Sequence, residues 1–135
     1  MTKRQETEFR ERKLLSKSGW DVNKASRYNS GSEMVLHSCY KQIAGHYLTH
    51  ELGYRVNFEV MHEDTKESID VLAWGVEDRI SPLAVEIETN CDESTKDAKT
   101  TLYVHNTPIQ EVYFIDPLEG PENIMEAYAY IGGKL

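Results

Sequence analysis

Asp70, Glu86 and Glu88 are the residues of this chain whose type and spacing can do chemistry. Each sits in a short apolar run. Asp70 lies in Ser68-Ile69-Asp70-Val71-Leu72-Ala73-Trp74, and the two glutamates lie in Leu83-Ala84-Val85-Glu86-Ile87-Glu88. A β-strand repeats every two residues, so Glu86 and Glu88 share a face opposite Val85 and Ile87, and Asp70 points away from Ile69 and Val71. Carboxylates crowded on neighbouring buried strands repel one another and lose hydration. A divalent cation relieves both penalties, and hard ions such as Mg2+ prefer oxygen ligands of this kind.

The elements that must position these acids follow from periodicity. Residues 3–18 have helix-forming composition, with Phe9, Leu14 and Leu15 as the only large apolar side chains, too few for a separate core. Residues 19–31 read as a linker, partly packed down by Trp20 and Tyr28. Ser30 with Glu33 forms a capping-box signal. The helix it opens reaches about Leu52 and stops at Gly53. Leu36, Tyr40, Ile43, Tyr47 and Leu48 form its apolar stripe, and Glu33, His37 and Lys41 recur every fourth residue on another face.

Tyr54 to Val60 alternates as a first strand, with Tyr54, Val56, Phe58 and Val60 on one side. The Asp70 run is the second strand and the Glu86 run the third. Asp92 or Ser94 begins a helix to about Asn106, Glu111 to Ile115 is a fourth strand, and Pro121 opens a last helix to about Ile131. Three strands in succession imply a meander, and the intervening helix implies a parallel crossover to the fourth. The expected fold is α/β, an αβββαβ core whose mixed four-stranded sheet is flanked by helices. Residues 1–30 form an N-terminal arm and linker, and residues 31–135 form the domain.

The length of 135 residues suits one compact domain. No apolar run is long enough for a bilayer and the start lacks a signal-peptide core, so a cytoplasmic protein with no membrane partner is expected. The two cysteines, Cys39 and Cys91, belong to no CxxC or Cys/His cluster, which argues against a zinc site or disulfide framework and implies two half-buried thiols. The net charge of −8 argues against nucleic acid, yet the charge is uneven. Residues 1–30 carry eight Lys/Arg against four Asp/Glu, while the rest carry seven against nineteen. A basic arm on an acidic body suits attachment to a phosphate backbone; it equally suits a soluble helical extension.

In this order and at these separations, the segments resemble the PD-(D/E)xK nuclease superfamily, the restriction-endonuclease-like fold, over roughly residues 32–117. Ser32-Glu33 through His37 and Lys41 is similar to its first helix, which often brings a Glu or His to the active site. Ser68 to Leu72 resembles its acidic second strand, Ala84 to Thr89 its E-x-K strand, and Glu111 to Pro117 its fourth strand. One position departs, because Glu88 stands where the superfamily usually has lysine. Some members have Glu there, and in others the lysine has moved to the following helix, where Lys96 and Lys99 are the candidates.

The resemblance implies a Mg2+-dependent nuclease, with Mn2+ a substitute, that hydrolyses phosphodiester bonds in DNA and works as a homodimer. Asp70, Glu86 and the Ile87 carbonyl would hold one ion, and Glu88 would bind a second or accept a proton from the attacking water. His37 and Glu33 either orient that water or form an exposed helix face with ordinary pairing. Lys41 is a surface lysine or a phosphate contact. His46, His50, His62 and His105 lack metal-ligand spacing and read as surface or satisfied histidines. The competing expectation is an inactive member of the same fold that binds nucleic acid or protein; the absent lysine at position 88 and the acidic body support it.

Overall fold

A computed structural model describes residues 1–24 and 35–135. The elements are α1 (Lys3–Lys17), α2 (Val35–His50), β1 (Arg55–Met61), β2 (Ser68–Trp74), β3 (Leu83–Ile87), α3 (Glu93–Val104), β4 (Glu111–Ile115) and α4 (Ile124–Lys134). The fold is α/β. Its sheet runs in the order β1-β2-β3-β4, antiparallel twice and parallel between β3 and β4. Glu33 and the Ser30 capping signal lie outside the described residues.

The helices divide between the two faces. Tyr40, Ala44 and Leu48 of α2 and Ala127 and Ile131 of α4 pack with Val71, Ala73, Val85 and Ile115. Leu15 of α1 and Tyr103 of α3 pack with Trp20, Leu72, Trp74 and Ala84 on the other face. The central strand β3 is dry, with all five positions buried, while β1 and β4 are largely half-buried. Gly45 lets α2 approach β1, since a Cβ there would lie 2.3 Å from the Phe58 ring.

The N-terminal segment packs onto this body. Thr2 and Gln5 form a capping box at the start of α1. The stripe Thr7, Glu11 and Leu15 is buried, and Glu11 accepts hydrogen bonds from the Gly75 amide and the Ser81 hydroxyl, both at 2.7 Å. Trp20 is buried and bridges to His62. The ring of His62 is held by the Ser18 carbonyl and by the Asp64 and Thr65 amides.

Two details differ from simple alternation. Glu59 has φ of 49°, in the left-handed region. Phe58 packs in the α2/α4 layer, while Val60 and its partner Ile69 pack in the α1/α3 layer, so the apolar face changes across Glu59. The last helix begins at Ile124 with Asn123 as its cap, three residues after Pro121, and continues through Gly132-Gly133. Asn123 provides the side-chain acceptor that a helix N-terminus needs, bonding the Met125 and Glu126 amides.

Candidate active site

The backbone ladder between β2 and β3 ends at Val71 opposite Val85. One step further, Asp70 faces Glu86, and side chains replace the missing rungs. The Asp70 amide donates to Glu86 Oε2 at 3.0 Å, and the Ile87 amide donates to Asp70 Oδ2 at 2.8 Å. Strand divergence thus leaves two amides that only acceptor side chains can satisfy, and two carboxylates take them. Glu86 is 1 % exposed and Asp70 13 %.

Other elements close the site. His37 of α2 places Nε2 3.4 Å from Asp70 Oδ2. Tyr103 of α3, itself buried, donates its hydroxyl to Glu86 Oε1 and lies 3.1 Å from the Ser68 carbonyl. Lys99, one turn before Tyr103, lies 3.6 Å from Glu86 Oε1 and pairs directly with Glu88. Behind them, Glu59 accepts from Lys41 Nζ at 3.0 Å and from Ser68 Oγ at 2.9 Å. The left-handed turn at Glu59 therefore accompanies a polar layer that runs from Lys41 to Ser68.

The electrostatics of the acid pair are asymmetric. Burial pushes the Glu86 carboxyl up, the neighbouring Asp70 charge adds to this, and the result is about 8 despite Tyr103 and Lys99. Burial also acts on Asp70, but hydrogen bonds from His37, Glu86 and the Ile87 amide overcome it and hold that carboxyl below its ordinary value. The two shifts oppose each other, so Glu86 is the member of the pair that takes a proton more readily. Burial would lower the Lys99 ammonium, but the hydrogen bond to Glu88 and the charges of Glu86, Glu88 and Asp70 raise it instead. Lys99 stays charged.

The sequence-derived residues sort accordingly. Asp70, Glu86, Glu88 and His37 come together, with the Ile87 backbone beside them. Of the two candidate lysines, Lys99 reaches the carboxylates. Lys96 does not: it lies 3.7 Å from Glu93 and over the Phe114 ring at 5.9 Å. Both are on the same helix face as Tyr103, but Lys96 is a further turn toward the N-terminus, where it lines a polar cleft with Glu88 and Asp116 without an ion pair to Asp70, Glu86 or Glu88. Lys41 corrects both of its expected roles, since it is fully buried on Glu59. Cys39 is exposed, not half-buried, and Cys91 is partly buried; both are free thiols. Tyr103, Glu59 and Ser68 were not marked as site residues by the sequence. Tyr103 had one available signal, its position four residues after Lys99 on a helix that follows the acidic strand.

Among the described residues, no group of three His, Cys, Asp or Glu side chains is arranged to hold a metal ion. Two carboxylates suffice for Mg2+, which keeps most of its water. The donor set fits on chemical grounds. Burial and the Asp70 charge make an ionised Glu86 costly, and a cation between the two carboxylates would relieve that cost. No helix among the described residues is long and apolar enough to cross a membrane. Comparison of the chain with protein-family models, curated proteins and solved structures finds no match.

Proposed function

We propose that this chain is a metal-dependent nuclease of the restriction-endonuclease-like class, hydrolysing phosphodiester bonds in DNA. The observation that carries the proposal is the Asp70–Glu86 pair at the β2–β3 fork, with the Lys99 ammonium 3.6 Å from Glu86. Asp70, Glu86 and the Ile87 carbonyl would hold Mg2+ or Mn2+. Such an ion polarises the phosphate and acidifies water when bound.

The protein's own groups supply the remainder. The Asp70 and Ile87 amides and the Tyr103 hydroxyl fix both carboxylates before any ligand arrives, which limits reorganisation during the reaction. His37 holds Asp70 in its ionised form. Lys99 offers a charged donor to a phosphate oxygen, and Glu88, released from Lys99 by that contact, accepts the proton of the attacking water. Lys99 thus stands in for the lysine absent at position 88.

The test is cleavage of plasmid, single-stranded and branched DNA with Mg2+ or Mn2+, set against Asp70→Asn and Glu86→Gln. Metal-dependent cutting lost in both variants supports the proposal. Cutting that survives both rejects the site. One observation favours the second reading, an inactive binding protein: the Glu88–Lys99 pair leaves each of those groups neutralised by the other. Tight DNA binding without metal, and no cleavage of any substrate, would decide for it.

A further inference from the structure

Two of the three carboxylates of α1 are engaged by neighbouring groups: Glu11 is buried on Gly75 and Ser81, and Glu8 pairs with Arg4 and Arg55 at 3.0 and 3.1 Å. Glu6 is the helix's exposed acid. The buried stripe is Thr7, Glu11 and Leu15. Two residues on, about 200° around the helix, runs Phe9, Lys13 and Lys17. All three are exposed, and successive members stand about 6 Å apart along the axis.

These residues bound a shallow groove of about 610 Å³, lined by Phe9, Arg12, Lys13, Ser16, Lys17 and Asn23. Among the described residues, the lining holds three cations and no carboxylate. Phe9 is 55 % exposed, and Lys13 Nζ lies 6.0 Å from the centre of its ring. A protein of net charge −8 has little general attraction for polyanions, so a local group of cations marks where one would bind. Three cations and an exposed ring along one groove complement a ligand that combines phosphate charge with accessible base faces. Duplex DNA offers the charge but stacks its bases internally; a single strand offers both.

We infer that the outer face of α1 is a binding surface for single-stranded nucleic acid, with Arg12, Lys13 and Lys17 on phosphates and Phe9 stacked on a base. The surface is separate from the Asp70–Glu86 site and holds nucleic acid whether or not that site cleaves. Lys17 also lines a second groove with Asn106 and Thr107, just past the C-terminal end of α3.

The experiment is fluorescence anisotropy of a labelled oligothymidylate, without divalent metal, over a range of salt concentrations, with a duplex of equal length as comparison. The triple variant Arg12→Glu, Lys13→Glu, Lys17→Glu should bind at least tenfold more weakly and lower the salt slope by about 2, at roughly 0.7 per lost phosphate contact. Phe9→Ala should lose roughly tenfold on the single strand and almost nothing on the duplex. Circular dichroism checks folding; if the triple variant fails, Lys13→Gln with Lys17→Gln replaces it. Unchanged affinity and slope overturn the inference, as does equal binding of duplex with no effect of Phe9→Ala. Binding lost in the α1 variants while wild type cleaves nothing would uphold this surface and reject the nuclease. Cleavage lost in Asp70→Asn with oligothymidylate affinity untouched by the α1 variants would do the reverse.

Discussion

Replacing Glu86 by Gln should change the pH dependence of stability in a defined window. Glu86 is raised from its ordinary 4.5 to about 8, so between these values the folded protein holds a proton that the unfolded chain releases. That stability is complete below the unfolded pKa and disappears as pH rises through the folded one. The slope is about 1.4 kcal/mol per pH unit across roughly 3.5 units, so the upper limit is on the order of 5 kcal/mol. Asp70 is shifted the other way, and its contribution fades only at acid pH, outside this window. The Glu86→Gln variant keeps a neutral side chain at every pH; its new amide can face Tyr103, whose hydroxyl then turns to the Ser68 carbonyl at 3.1 Å. Urea denaturation from pH 5 to 9 in chelator should therefore show wild type losing stability relative to Glu86→Gln by several kcal/mol. Mg2+ or Mn2+ at pH 8 should restore wild type alone. Parallel profiles for the two proteins, or a metal effect of equal size in both, would overturn this linkage.

Lys99→Met should lower metal-dependent cleavage by roughly 100-fold or more, whereas Lys96→Met should leave it within about twofold, measured as single-turnover rates. Tyr103→Phe keeps the edge contact with Trp20 at 5.4 Å but removes the donor to Glu86, so urea unfolding should show a loss of about 1–2 kcal/mol and calorimetry weaker Mn2+ binding. Glu11→Ala should destabilise by about 2–4 kcal/mol by leaving the Gly75 amide and Ser81 hydroxyl without an acceptor; Glu11→Gln should recover most of it, because both bonds end on one oxygen.

The strands were legible because their boundaries coincide with chemistry. Ser68 to Trp74 is read correctly from its apolar run between a polar turn and Gly75, and Glu111 to Ile115 from the stop at Asp116-Pro117. The juxtaposition of Asp70 and Glu86 follows from a three-strand meander, in which those residues sit at the same end of adjacent strands. What the pattern hides is tertiary. Glu11 reads as an exposed helix acid, because nothing local shows that the Gly75 and Ser81 donors will meet it. Lys41 reads as surface for the same reason: Glu59, its partner, turns toward it through a left-handed backbone that alternation does not anticipate. Lys96 and Lys99 share a helix face, and only the distance of each from the end of β3 separates them, a matter of one helical turn.

Whether the Asp70–Glu86 pair takes a cation can be decided with crystals soaked in Mn2+ and measured at the manganese absorption edge. An anomalous peak is expected between the two carboxylates, within coordination reach of the Ile87 carbonyl, and no such peak in Glu86→Gln. Manganese bound elsewhere, or absent while the carboxylates remain hydrogen-bonded to each other, would reject the cation site and the nuclease proposal with it.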